Sequence, residues 1–194
     1  MMNSFLLSFT AVFVALDIVG AIPMYLSMTR ELTVKERSKI VDTSMLVAFI
    51  VAAAFIFIGH SLFVHLGIEV FDFRIAGGVI LLLIALADLV GNPEVEKRSS
   101  GSTGIVPLAV PLISGPGVLT TLLLQVSVQG YWLTLLILVI NYGFAWFVLR
   151  RCDVIQRFMG RDGSTVLSKI AALLLAAIAV AMIRNGVFEA IRAY

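Results

Sequence analysis

Six long apolar stretches, separated by short polar segments, make up most of the chain. They cover residues 5–28, 40–59, 73–91, 105–128, 132–149 and 170–188. A helix needs about 20 apolar residues to cross the hydrocarbon core of a bilayer, and in lipid its backbone polar groups must be paired within the element. Stretches such as VILLLIALA lack the two-residue alternation of a barrel strand. The pattern predicts an all-α membrane protein with six transmembrane helices.

Composition supports this interpretation. The chain is 60% hydrophobic and 13% charged, whereas soluble domains are about 45–50% apolar and about 25% charged. A soluble globule of this composition would have too little polar surface to cover itself. We therefore expect one transmembrane domain over residues 1–194, embedded in the lipid bilayer.

The basic residues are sorted by position and predict the orientation. Eleven of the 14 Lys and Arg residues lie in three segments, 29–39, 92–104 and 150–169. An excess of Lys and Arg in short loops marks the cytoplasmic side, so both termini are expected outside. Tyr131, Trp132 and Tyr142 fit partly with anchoring at the interface.

The first apolar stretch contains a motif that does not suit a simple membrane helix. Residues 17–23 read DIVGAIP, which places Asp17, Gly20 and Pro23 near the centre of the stretch. A carboxylate inside a membrane span is costly and marks a candidate functional site, while proline removes a helix hydrogen bond. We expect helix 1 to be broken near the midplane. The alternative role for Asp17 is capping of the helix that follows it.

The fourth stretch contains a second such motif. Residues 107–117 read PLAVPLISGPG, with three prolines and two glycines in one apolar span. One proline produces an ordinary kink in a membrane helix, but five such residues predict a discontinuous helix. The candidate site residues here are Ser114, Gly115, Pro116 and Gly117.

The position of the two motifs predicts a three-plus-three inverted repeat. Repeat 1 covers about 1–91, a cytoplasmic linker covers 92–104, and repeat 2 covers about 105–194. With an offset of 95, Arg74-Ile75-Ala76 aligns with Lys169-Ile170-Ala171 and Gly20 with Gly115. Interrupted spans in corresponding positions of two halves are the best sequence indication of a transporter site. Helix N-termini suit a carboxylate, and Asp17 suits an ammonium group or a coupling proton.

Several polar or small residues elsewhere in the spans are secondary candidates. Thr120, Gln125 and Asn141 are polar and lie inside spans, where hydrogen bonding between helices is the usual role and substrate binding the alternative. Gly77 and Gly78 predict a close approach between helices, because small residues let backbones pack tightly.

Other classes of function find little support. The chain contains neither HExxH nor GxSxG, so we expect no enzyme. The two histidines do not form a convincing metal pair, and no glycine-rich phosphate loop is present, so we expect neither a metal nor a cofactor. The single cysteine, Cys152, is expected to be an inactive thiol. A net charge of +2 gives no indication of nucleic-acid binding.

Three motifs resemble those of the MarC family of inner-membrane proteins. DIVGAIP resembles the family's first-helix motif, IAGGVILLLIA (75–85) its third-helix motif, and VPLAVPLISGPG (106–117) its fourth-helix motif. The resemblance implies a six-helix protein distantly similar to LysE-type exporters, which transports small neutral amino acids such as glycine and alanine. Two positions differ from the family pattern: Ile18 stands where proline is usual, and Ser168-Lys169 stands where many members have Glu-Arg.

These observations predict a secondary transporter of small neutral amino acids. The substrate is expected to bind between the broken helices 1 and 4, with proton coupling through Asp17. Two alternatives remain open: a passive channel for small solutes and a membrane scaffold subunit that moves no solute.

Overall fold

The computed structural model describes residues 2–29, 32–90 and 113–193, and all the regular elements in these ranges are helices. In chain order they are α1 (Met2–Leu16), α2 (Ile18–Met28), α3 (Val34–Leu66), α4 (Val70–Val90), α5 (Pro116–Gln129) and α6 (Tyr131–Ala193). The prediction of an all-α architecture is confirmed for these residues. The linker 92–104, together with Pro107 and Pro111, lies outside the described residues.

Five stretches of the described helices are long and apolar enough to cross a membrane. They are Phe5–Ile22, Val34–Leu66, Val70–Ala87, Tyr131–Cys152 and Ala172–Ala193. Each corresponds to one of the predicted spans. The remaining predicted span, 105–128, falls partly outside the described residues, and α5 covers its second half.

Helix α3 is longer than the sequence pattern predicts, because it is capped at both ends. Thr33 and Glu36 form a reciprocal capping box, in which each side chain binds the other's backbone N–H. At the far end Gly67 adopts a left-handed conformation with φ 62°, which favours glycine. The segment 29–39 is therefore only partly a loop, since α3 already begins at Val34.

The predicted loop 150–169 is wrong as secondary structure, because α6 includes it. Arg150, Arg151 and the charged residues after them indicate contact with water but do not stop a helix. No proline follows Pro116 in the sequence, and proline is the residue that most strongly ends a helix. Helix α6 thus contains two apolar portions, a first portion (Tyr131–Cys152) and a second portion (Ala172–Ala193).

The two portions of α6 do not share one straight axis. Tyr131 stacks on Phe57 of α3, with ring centroids 5.8 Å apart, and Glu189 forms an ion pair with Arg74 of α4. A straight helix would separate Tyr131 from Glu189 by about 87 Å at 1.5 Å per residue. Only the last turns of α3, a short link and the first turn of α4 connect Phe57 to Arg74. These cannot cover such a distance, so the chain changes direction between the two portions.

The interior is divided into a large and a small core. The large core joins α1, α2, α3, α5 and the first portion of α6, with Tyr25, Ile56, Leu122 and Leu138 among its fully buried side chains. The small core lies between α4 and the second portion of α6 and consists of Leu81, Ala85, Leu175 and Ala179. Helix α4 and the second portion of α6 therefore form a packed pair with a core of its own.

Small residues set the spacing within this pair. A Cβ on Gly78 would lie 2.7 Å from Ile183 Cγ1, and one on Gly186 would lie 2.6 Å from Ile75 Cγ1. Both positions are too close for any larger side chain without movement. The predicted close approach at Gly77 and Gly78 is confirmed, and at Gly77 the neighbour is the ring of Pro116.

Candidate functional site

Asp17 separates α1 from α2 and caps the second of these helices. It is the only residue other than glycine with positive φ in the described part of the chain, at 41°, a conformation that Asp tolerates better than most side chains. The backbone N–H of Gly20 donates to Asp17 Oδ1 at 3.1 Å. Since Gly20 is the third residue of α2, Asp17 Oδ1 binds the N–H that an N-cap side chain usually binds. The capping role considered for Asp17 is therefore present in the structure.

Gly20 is the residue that lets this cap form. A Cβ at position 20 would collide with the carboxylate of Asp17. Gly20 itself lies within α2, so the interruption is at Asp17, three residues earlier. Gly20 serves the motif through the space that it leaves for the capping carboxylate.

Pro23 and Ile18 also take defined places in α2. Pro23 lies inside the helix and has no N–H, so the carbonyl of Val19 loses its usual helix donor. Ile18 is the first residue of α2 and is buried. Proline is readily tolerated at this first position. Isoleucine in place of the family proline therefore does not abolish the interruption, which rests on Asp17.

The second motif ends in a buried turn that starts α5. Gly115 is the N-cap of the helix, with an extended backbone of φ −71° and ψ 170°, and Pro116 is the first helical residue. Ser114, Gly115 and Pro116 are all buried. Because Gly115 has no side chain, the N-cap supplies no hydrogen bond to the first N–H groups of α5, which helix geometry leaves without partners inside the helix.

Ser114 connects this turn to two neighbouring helices. Its hydroxyl donates to the backbone carbonyl of Ala48 in α3 at 2.7 Å, and it lies 2.7 Å from the hydroxyl of Tyr142 in α6. With the Ser114 proton directed at Ala48, the Tyr142 hydroxyl donates to Ser114 Oγ. Ser114 is fully buried and Tyr142 is 3% exposed, so the network is shielded from lipid and water.

The interpretation of Tyr142 as an interfacial anchor is wrong. Tyr142 belongs to the buried core, whereas Tyr131 and Trp132 are exposed at the start of α6. The aromatic ring alone did not distinguish the two positions. The adjacent polar residue, Asn141, gave the better indication, because two polar groups in succession within an apolar stretch point to an interior environment.

The secondary candidates differ in how well they are satisfied. Thr120 donates to the carbonyl of Gly117 at 3.2 Å, which is an ordinary bond within a helix. Asn141 Nδ2 donates to Ile137 O at 2.9 Å. The oxygens Asn141 Oδ1 and Gln125 Oε1 are buried, and neither has a hydrogen-bond partner in the part of the chain that the structure describes. Among the secondary candidates, these are the two with an unsatisfied buried oxygen in the described part of the chain.

The structure brings the second group of predicted residues together more directly than the first. Ser114 binds Ala48 and Tyr142. Pro116 packs against Gly77, and Gly115 joins Ser114 and Pro116 in the same turn. Among the described residues, no hydrogen bond connects the Asp17 cap to this turn. Helices α1 and α5 nevertheless lie side by side, since Gln129 at the end of α5 donates to Ser8 in α1. Counting 1.5 Å per residue along both helices from that contact puts Asp17 at about the level of Thr120.

Comparison with known proteins identifies relatives over almost the whole chain. The family model described as MarC family integral membrane protein matches residues 2–191. A UPF0056 membrane protein of Methanocaldococcus jannaschii is 29% identical over 94% of this chain and 95% of its own length. The UPF0056 inner membrane protein YhgN of Escherichia coli is 28% identical over 96% of this chain and 97% of its own length. No solved structure matches. The chain therefore belongs to the MarC family of integral membrane proteins.

Proposed function

We propose that the protein is a secondary transporter of small neutral amino acids, such as glycine and alanine, and that it is not an enzyme. One observation carries the proposal: a helix begins just after Asp17 and another just after Gly115, both within apolar stretches, and the neighbouring helices α1 and α5 are in contact. A helix end leaves backbone N–H or C=O groups without partners inside the helix. At membrane depth these groups require protein, water or a ligand to satisfy them.

The start of α5 suits a carboxylate. The first N–H groups of a helix carry partial positive charge and bind anions, and here they meet no capping side chain. A Cβ built on Gly117 would meet no atom of the described residues within 4 Å. Among the described residues, the position next to these donors is therefore open at Gly117.

Asp17 supplies the complementary negative charge. One carboxylate oxygen, Oδ1, accepts from Gly20, and Oδ2 remains for a cation or a proton. In the proposed mechanism Asp17 binds the substrate ammonium group or a coupling proton, while Gly20 and Pro23 shape the backbone around it. A charge-neutral amino acid carries both complementary groups, which is why small neutral amino acids fit best.

The inverted repeat is part of the same proposal and is supported by contacts between α4 and α6. Arg74, at the start of α4, pairs with Glu189 near the end of α6. Lys169, which the offset of 95 aligns with Arg74, binds the carbonyl of Leu89 near the end of α4 at 3.4 Å. Each basic residue thus binds the far end of the partner helix, the relationship that a twofold axis in the membrane plane produces.

The proposed location is the inner membrane, with both termini on the outer side. The excess of Lys and Arg in 29–39, 92–104 and 150–169 supports this orientation. The printed name of the Escherichia coli relative also describes an inner membrane protein.

Counterflow in proteoliposomes tests the proposal. Vesicles loaded with unlabelled alanine should accumulate labelled alanine or glycine in a saturable manner, and Asp17→Asn should reduce that exchange or its response to a proton gradient. Movement that never saturates and shows no counterflow would favour the passive channel. If no small amino acid moves in the wild-type protein, the transporter proposal is wrong, and the scaffold interpretation becomes the better one.

A further inference from the structure

Asn141 has a buried polar group that the residues described by the structure do not satisfy. The residue is fully buried in the first portion of α6. Its Nδ2 donates to Ile137 O at 2.9 Å, while its Oδ1 accepts from no group among the described residues. A buried acceptor without a partner is destabilising, because burial has removed its hydrogen bonds to water. Such a group inside a membrane protein requires a partner, and the described residues do not supply one.

The position of Asn141 points to that partner. The next residue, Tyr142, hydrogen-bonds Ser114 in the turn that starts α5. Asn141 therefore lies in the same turn of α6 as Tyr142, whose hydroxyl binds Ser114 of the candidate site. Gln125 Oε1 is also unsatisfied, but it lies more than two turns along α5 from Gly117. The two acceptors are therefore not equivalent, because only Asn141 is next in sequence to a residue that binds the turn.

We infer that Asn141 Oδ1 accepts a hydrogen bond from the ammonium group of the transported amino acid. This inference rests on the proposed function and refines it, because it divides recognition between neutral and charged groups. The amide oxygen of Asn141 takes the ammonium group, and the N-terminus of α5 takes the carboxylate. Asp17, whose Oδ1 already caps α2, is left to hold the coupling proton.

A neutral acceptor suits this role chemically. An amide oxygen accepts hydrogen bonds but carries no net charge, so it does not need a counterion when the substrate leaves. A site built to bind a donor group rejects analogues that lack the group, because its own acceptor is then left unpaired. The transporter should therefore discriminate strongly between alanine and propionate, which differ in the ammonium group.

Competition against labelled alanine in the counterflow assay tests the inference. In the wild-type protein, alanine should compete about 100-fold better than propionate or more. Asn141→Leu, which keeps the size and removes the acceptor, should weaken competition by alanine about tenfold or more and reduce the alanine-to-propionate ratio by a similar factor. An unchanged ratio in a folded Asn141→Leu protein overturns the inference.

Thr134→Val is the matched control. Thr134 is equally buried in the same portion of α6, but its hydroxyl donates to Gly130 O at 2.8 Å. Its loss should leave the alanine-to-propionate ratio unchanged, whereas a fall as large as that of Asn141→Leu would assign the effect to structure and contradict the inference.

A conservative variant keeps the test decisive if Asn141→Leu does not fold. Asn141→Asp preserves shape and acceptor oxygens and adds negative charge, so it should retain the preference for alanine and bind methylammonium about tenfold more strongly or better. No change in methylammonium competition overturns the inference. Absence of any amino acid exchange in the wild-type protein is a different result, since it rejects the proposed function itself.

Discussion

The ring of Pro116 packs directly against the backbone of Gly77. A Cβ built on Gly77 would overlap that ring, so the contact exists only because position 77 has no side chain. Pro116 opens α5 beside the candidate site, and Gly77 belongs to α4, which shares its core with the second portion of α6. This contact thus connects the separate helix pair to the turn at the site.

Gly77→Ala should therefore destabilise the protein. The added methyl group has no space, and overpacking of this kind costs about 1–3 kcal/mol. Thermal unfolding in detergent should show a lower midpoint than for the wild-type protein. Gly143→Ala is the control, because a Cβ there meets no atom of the described residues within 4 Å. The control should be neutral or stabilising, since alanine favours a helix by up to about 1 kcal/mol over glycine. Equal effects of the two substitutions would contradict the close contact.

Substitutions of Asp17 should separate its structural role from its charge. Asn is as good an N-cap as Asp, so Asp17→Asn should keep the hydrogen bond to Gly20 and unfold at the wild-type temperature. Asp17→Ala should lose the cap, at a cost of about 0.5–2 kcal/mol. If Asp17→Asn unfolds as early as Asp17→Ala, the cap does not explain the role of this residue in stability.

Local chemistry explains the two helix ends near the motifs. The end of α1 before Asp17 and the start of α5 at Pro116 depend on residues within one turn, so residue types alone carry information about them. The network of Ser114, Ala48 and Tyr142 could not be predicted in this way. It involves a backbone carbonyl, which no sequence pattern marks, and it joins three helices that are distant in sequence.

The helix over the predicted loop 150–169 was missed for a different reason. Charge density along the chain reports contact with water, whereas the end of a helix depends on proline, glycine and capping residues. The pattern of Lys and Arg therefore predicts contact with water for this segment, but it did not predict the helix. The contacts of Tyr131 with Phe57 and of Glu189 with Arg74 are long-range, and only the folded chain reveals them.

The hydroxyls of Ser114 and Tyr142 should be energetically coupled. Tyr142→Phe and Ser114→Ala each remove one partner of a buried hydrogen bond. Interhelical hydrogen bonds in membranes average about 0.6 kcal/mol, with a maximum near 1.7 kcal/mol. A double-mutant cycle on the free energy of unfolding should give a coupling in this range. Strictly additive losses would show that the two hydroxyls do not depend on each other. Thr121→Val, whose hydroxyl binds Gly117 within its own helix, should show no coupling to Tyr142→Phe.

Single cysteines should reveal the path of the chain across the membrane. Lys35→Cys, Trp132→Cys and Arg192→Cys place thiols at exposed positions, while the native Cys152 is buried and should remain unlabelled in the folded protein. A membrane-impermeant maleimide applied to intact cells that have a permeable outer membrane should label positions 132 and 192 from outside. Position 35 should react only after the membrane is opened. Positions 132 and 192 should be labelled from the same side, because the chain changes direction between the two portions of α6. The contacts of these portions with α3 and α4 do not fit one straight helix. Opposite sidedness of these two positions would contradict that arrangement, and labelling of position 35 from outside would contradict the orientation inferred from the basic segments.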